Sequence, residues 1–109
     1  MSTLSTHVLD IALGRPAAGV TVRLEPAGAD GEPLVATTDA DGRIDYRSPS
    51  GFPVGRYRLE FATGDYFTET GREAFHPRVS VEFEIADLDQ HYHVPLLVSP
   101  YGYTTYRGS

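Results

Sequence analysis

Apolar and polar residues alternate over short stretches along most of the chain, and glycine, proline and aspartate punctuate the stretches. Between these breaks the sequence is rich in Val, Thr, Tyr, Phe and Leu, the residues that fit a pleated, half-buried surface. The pattern predicts strands near 3–10, 20–26, 33–39, 43–47, 56–62, 78–85, 91–98 and 101–107. Eight short strands fit two packed sheets, so the expected fold class is all-β, a sandwich or barrel. The turn signals are Gly14-Arg15-Pro16, Ala29-Asp30-Gly31, Asp39-Ala40-Asp41-Gly42 and Ser99-Pro100-Tyr101-Gly102. One segment breaks the alternation. In Gly64-Asp65-Tyr66-Phe67-Thr68-Glu69-Thr70-Gly71 a capping-type Asp leads and a Gly closes about two turns later, which predicts one short helix. No internal repeat or linker divides the chain, so residues 1–109 are expected to form a single domain.

Side chains alternate across a strand. In 91–98 this puts Tyr92, Val94, Leu96 and Val98 on a core face and His91, His93, Pro95 and Leu97 on the opposite one. In the opening strand Leu4, Thr6 and Val8 share one face, with Ser5, His7 and Leu9 on the other; the last strand divides Tyr101, Tyr103 and Thr105 from Thr104, Tyr106 and Gly108. If these strands share a sheet, its outer face gathers His7, His93 and Tyr106 beside Leu9, Pro95 and Leu97. Such a face is too apolar for solvent and too polar for a core, which predicts a partner subunit over it. The same face meeting itself across a two-fold axis would line a cleft with two copies of each polar group.

Composition narrows the chemistry. The 109 residues are 40% hydrophobic and 22% charged, as in a globular protein. No apolar run approaches the ~20 residues that cross a bilayer. The start MSTLSTHVLD has neither a basic nor an apolar leader region, and YRGS is neither a prenylation box nor a peroxisomal address, so the expected location is cytoplasmic. The absence of cysteine removes thiolate nucleophiles, disulfides and cysteine-based zinc sites. All nine basic residues are arginine, which removes Schiff-base lysines. A net charge of −6 argues against nucleic acid or an anionic membrane as partner.

His7 and His93 are the first candidates, because imidazole is the usual proton carrier near neutral pH. Each alone reads more often as a surface or hydrogen-bonded strand residue. His91 and His93, two apart, could also ligate a metal, but lack an evident third ligand. Asp39-Ala40-Asp41-Gly42 resembles the start of a calcium loop without its later bidentate acid, and reads better as a tight turn. Arg43 follows it, either as a solvated strand residue or as a planar fork aimed at a carbonyl or carboxylate. The tail Tyr106-Arg107-Gly108-Ser109 offers a phenol, a guanidinium, a hydroxyl and a terminal carboxylate within four residues. No nucleophile elbow or Ser-His-acid triad is evident, which leaves activated water as the nucleophile.

The segments Leu4-Ser-Thr-His7-Val-Leu-Asp10, Gly14-Arg-Pro-Ala17, Thr38-Asp-Ala-Asp-Gly-Arg43, His91-Tyr-His-Val-Pro-Leu-Leu97 and Ser99-Pro-Tyr-Gly-Tyr-Thr-Thr-Tyr-Arg-Gly-Ser109 together resemble the 5-hydroxyisourate hydrolases, the transthyretin-related family of urate breakdown. The likeness spans nearly the whole chain. Its most specific element is the closing Tyr-Arg-Gly-Ser, because the hormone carrier transthyretin has an apolar tail and lacks histidine at the equivalents of His7 and His93. The resemblance implies a transthyretin-like sandwich of two four-stranded sheets with one short helix. It also implies a homotetramer, a dimer of dimers with active sites in the channel between dimers. The implied reaction is hydrolysis of a cyclic amide in 5-hydroxyisourate to 2-oxo-4-hydroxy-4-carboxy-5-ureidoimidazoline, without cofactor or metal. By the family's motifs His7, Arg43 and His93 are catalytic, and Tyr106, Arg107, Gly108 and Ser109 bind the small-molecule substrate. One imidazole, His7 in the first assignment, takes a proton from water and the other orients the water or protonates the leaving nitrogen, with the roles interchangeable. Phe75-His76-Pro77 departs from the Phe-Phe-Pro common in relatives, away from these motifs. The alternatives are a noncatalytic carrier or carboxypeptidase-regulatory type of sandwich module, and a cation-binding adhesion domain built on the Asp39/Asp41 turn.

Overall fold

The computed structural model describes residues 1–28 and 31–109. Its elements run β1 (Thr3–Asp10), β2 (Arg15–Pro16), β3 (Thr21–Pro26), β4 (Leu34–Thr37), β5 (Arg43–Tyr46), β6 (Gly55–Phe61), α1 (Thr63–Glu69), β7 (Val79–Ile85), β8 (His91–Ser99) and β9 (Gly102–Thr105). All eight predicted strands are present and form two four-stranded sheets. One has the order β4-β3-β6-β7 and is antiparallel throughout. In the other, β5, β1, β8 and β9 lie side by side, and the two-residue β2 adds a short piece beyond β5 on the same edge of β1. The pairing of β1 with β8 is parallel, joining the start of the chain to a segment near its end.

The alternation read from sequence is the one that packs the sheets together. Leu4 and Val8 of β1 and Tyr92, Val94, Leu96 and Val98 of β8 face Val22, Leu24, Leu59, Phe61, Val79 and Val81 of the opposing sheet, all buried. Each such side chain removed from water contributes about 1.5–3 kcal/mol before entropy is counted. Thr6 sits on this face as well, and its hydroxyl donates to the Val94 carbonyl at 2.6 Å, so this polar group between the strands is satisfied.

Three local expectations need correction. Asp65 does not cap the helix: Ala62 holds the N-cap position and Asp65 falls in the first turn, where a carboxylate favours the helix dipole. The closing Gly71 does what was expected, with φ 74° and with the amides of Gly71 and Arg72 donating to the carbonyls of Thr68 and Phe67. The reversal assigned to Gly14-Arg15-Pro16 lies earlier, over 11–14, because the buried Asp10 carboxylate accepts from the amides of Ala12 and Leu13; Arg15 and Pro16 then run back along β1. Finally, the last strand does not run unbroken over 101–107. It stops at Thr105, opposite Leu96, and its backbone pairs with β8 again where Gly108 meets His93. Pro95 lies between those two contacts and has no amide hydrogen to donate, so the ladder is interrupted there. Of the predicted turn Ala29-Asp30-Gly31, Ala29 and Asp30 lie outside the described residues.

Candidate active site

Register alone lays out the outer face of the β5-β1-β8 sheet, because residues directly opposite one another on neighbouring strands share a face. Asp45 lies opposite Ser5, Ser5 beside His93, and His93 against Gly108, which makes one row across three strands and the tail. The next row is Arg43, His7 and Pro95. The condition that the first and eighth strands share a sheet is therefore met, and His7, Arg43 and His93 occupy adjacent positions on one surface. Leu9 and Leu97 are half-buried beyond them.

Each polar group on this face is held differently. His93 is half-buried, and its Nδ1 lies 2.7 Å from Ser5 Oγ. Ser5 Oγ is also 2.8 Å from His91 Nε2, while His91 Nδ1 is 2.6 Å from Thr3 Oγ1. The two imidazole rings lie nearly parallel, at 19° with centroids 6.4 Å apart. Burial lowers the pKa of His93 below its ordinary value of 6.5, and the charges of His91, His7 and Arg43 push it the same way against a smaller opposing pull from Asp45. His93 is thus an uncharged imidazole near neutral pH. His7 keeps a buried Nε2 without a hydrogen-bond partner among the described residues, an expensive condition unless a ligand completes it. Arg43 is exposed, and its guanidinium has no carboxylate partner among the described residues. The carboxylate of Asp39 instead accepts from the amides of Asp41 and Arg43, so the calcium-loop reading gives way to an Asx turn that fixes where β5 begins.

Ser5, Thr6, Arg43, Asp45, His91, His93 and Ser109 line an open cleft of about 270 Å³, and His7, Pro16 and Asp41 extend the surface on the other side of Arg43. That volume is just below the ~300–1,000 Å³ usual for ligand sites. Gly108 donates its amide to the His93 carbonyl at 2.8 Å, and a Cβ at this position would overlap the His93 ring. Only glycine allows the tail to lie this close. Tyr106 and Arg107 are not in this cleft: they line a groove at the mouth of the sandwich with Val81, Phe83, Tyr92 and Val94. Arg107 stacks 4.6 Å from the centroid of the Tyr92 ring and donates to Gln90 Oε1 at 2.7 Å, on the face of β8 opposite His93.

Sequence reasoning passed over Thr3 and Ser5 and weighed His91 only as a metal ligand. Alternation had put Ser5 on the His7 face and His91 on the His93 face. What it lacked was the long-range parallel register that sets a serine hydroxyl between the two rings.

No helix among the described residues is long and apolar enough to cross a membrane. Residues 4–108 match the model of the HIUase/Transthyretin family. The chain is 50% identical over 115 residues to the 5-hydroxyisourate hydrolase of Caulobacter vibrioides, covering 100% of both chains. Among solved structures it is similar to Klebsiella pneumoniae 5-hydroxyisourate hydrolase, with a TM-score of 0.88, 47% identity and coverage of 100% of this chain and 94% of that one. It is also similar to sea bream transthyretin in complex with thyroxine, with a TM-score of 0.86 and 35% identity over 96% of this chain and 93% of that one. A matched length that leaves out only the terminal residues, and half-identity to a relative over its full length, show that the chain belongs to the HIUase/transthyretin family.

Proposed function

We propose that this protein hydrolyses 5-hydroxyisourate, opening a cyclic amide to give 2-oxo-4-hydroxy-4-carboxy-5-ureidoimidazoline in purine breakdown. The observation that carries the reading is the side-by-side placement of His7, Arg43 and His93 on one sheet face with Ser109 at its edge, in a family that includes hydrolases of this name. A carrier needs no such set.

In this scheme the first assignment of roles is reversed. His93 takes the proton from the attacking water, because its Nδ1 is anchored on Ser5 and its lowered pKa keeps it unprotonated at neutral pH. Arg43 polarises the attacked carbonyl and meets the developing oxyanion, a contribution of about 3–4 kcal/mol when a single donor is deleted. His7, with its unpartnered Nε2, orients the water or protonates the leaving nitrogen. Gly108 and Ser109 bound the heterocycle beside His93. Tyr106 and Arg107 would join them on leaving the groove, which for Arg107 means exchanging Tyr92 and Gln90 for substrate. The shallow cleft fits a site completed by a second copy of the chain, in a cytoplasmic homotetramer of one-domain subunits.

Mixing the purified protein with freshly made 5-hydroxyisourate and following its ultraviolet absorbance tests the reading directly. Decay well above the spontaneous rate is the expected result. Decay at the spontaneous rate, with the protein folded and assembled, overturns it in favour of a carrier.

A further inference from the structure

Ser5 Oγ is shared between two imidazoles, and a hydroxyl has one hydrogen to give. It can donate to only one ring nitrogen at a time and must accept from the other. Two arrangements satisfy every atom in the row Thr3-His91-Ser5-His93. In the first, His93 Nδ1–H donates to Ser5, Ser5 donates to His91 Nε2, and His91 Nδ1–H donates to Thr3 Oγ1, leaving His93 Nε2 as a bare acceptor. In the second every proton has moved one place: Thr3 donates to His91 Nδ1, His91 Nε2–H donates to Ser5, Ser5 donates to His93 Nδ1, and His93 Nε2 carries the hydrogen. The first arrangement makes His93 a base and the second makes it an acid.

Resting on the function proposed above, we infer that Ser5 and His91 form a proton relay that carries charge away from His93 to the exposed edge of the sheet. As His93 Nε2 accepts the proton of water, its Nδ1 proton passes to Ser5 Oγ and the Ser5 proton to His91 Nε2. The positive charge then sits on His91, which is exposed and releases its Nδ1 proton by way of Thr3 to solvent. One proton enters at Nε2 and one leaves at Nδ1 of the outer ring. With His7 orienting the water, His93 Nε2–H then protonates the leaving nitrogen, a solvent proton re-enters at His91 Nδ1 by way of Thr3, and the row is reset.

The surroundings favour this division of labour. A half-buried His93 faces His7 from β1, Arg43 and Asp45 from β5, His91 from its own strand and Ser109 from the tail, and burial together with the Arg43 guanidinium resists a lasting charge there. His91 is at the rim, where water solvates an imidazolium. Unlike a carboxylate beside histidine, both ends of the row are imidazoles, so each has a nitrogen that can take the proton. Ser5 and His91 touch no substrate in this scheme and are positioning residues.

The test uses Ser5→Ala, which cuts the row, and His91→Ala, which removes its exposed end without touching the core. In both, kcat should fall about tenfold with KM little changed. Rates in mixed light and heavy water should be curved in the wild type, showing several protons in flight, and linear in Ser5→Ala. Imidazole buffer should restore kcat to His91→Ala but not to Ser5→Ala. Nitrogen-15 spectra of the histidines provide a readout without substrate: His93 should pass from a row-coupled tautomer in the wild type to an uncoupled mixture in Ser5→Ala. Unchanged kcat and unchanged tautomers in both variants would overturn the relay. A wild type inactive on 5-hydroxyisourate would overturn the function instead, and the relay would then stand or fall on the nitrogen spectra.

Discussion

At its C-terminal end strand β1 turns Asp10 inward, and near its middle it turns Ser5 and His7 outward, so one strand carries two polar clusters of opposite character. The inner cluster is closed. Asp10, fully buried, accepts from the Arg72 guanidinium at 2.6 Å, from the Tyr66 hydroxyl at 2.8 Å and from the amides of Ala12 and Leu13. The Arg72 guanidinium also lies 4.8 Å from the Phe67 ring centroid, so a single residue after the helix ties α1 to the end of β1. The outer cluster is open: Arg43 has no carboxylate partner among the described residues, and His7 Nε2 has no partner at all among them. Polar groups whose bonds are all made hold a fold together. Groups left with free donors and acceptors are available to a substrate, and their incompleteness costs the chain stability that something must repay on binding.

The contrast breaks most sharply under truncation of the open cluster. Arg43→Ala and His93→Ala should each lower turnover of 5-hydroxyisourate by about a thousandfold, while the unfolding free energy from urea titration stays within about 0.5 kcal/mol of wild type. A stability loss matching the activity loss would show that the outer groups are structural after all. Arg72→Ala should do the opposite. Leaving the Asp10 carboxylate buried and unpaired should cost about 3 kcal/mol in urea unfolding, with kcat per folded molecule nearly unchanged. If kcat falls instead, the two clusters are coupled through β1.

Acid separates them on one axis. Burial alone would raise the Asp10 pKa, but hydrogen bonds from Arg72 and Tyr66 and from the Leu13 amide outweigh it and hold the carboxyl below its ordinary 3.8. A depressed carboxyl contributes stability that is present above its unfolded pKa and lost as pH falls through the folded one, so this contribution disappears only below about pH 4. His93 is depressed from 6.5, so kcat/KM should hold through pH 6.5 and decline below it, while the protein remains folded. Activity therefore fails first and structure later. A pH–rate profile beside a pH series of urea midpoints checks the order, and coincident losses would contradict it.

How much of this was legible depended on the range of the interaction. The core face of β8, with Tyr92, Val94, Leu96 and Val98 buried, follows from alternation, a local property. The helix stop at Gly71 was legible because a glycine after the last turn has its own local chemistry, whereas the start was misread because Ala62 holds the N-cap with no side-chain hydrogen bond. The shared face of His7 and His93 was legible as far as parity reaches. The Ser5 bridge and the position of Arg107 were not. The first needs the parallel register of strands almost ninety residues apart, and the second needs knowledge that the missing amide of Pro95 frees Tyr106 and Arg107 from the ladder.

The smallest expected effect tests that break in the tail. Gly108 has ordinary backbone space for alanine as far as φ is concerned, since it is not among the glycines with positive φ. The obstacle is the His93 ring, which occupies the volume a Cβ would need. Gly108→Ala must either lift the tail from the Gly108–His93 backbone hydrogen bond, worth about 1 kcal/mol, or turn the ring away from Ser5. The parallel strands below should hold the ring more firmly than one terminal bond holds the tail, so the tail moves. The expected outcome is a stability change under about 1 kcal/mol and a KM raised about tenfold with kcat little altered, because Ser109 leaves the cleft while His93 keeps its proton chemistry. A fall in kcat at constant KM would mean that the ring gives way first, and that Gly108 serves the imidazole more than the tail.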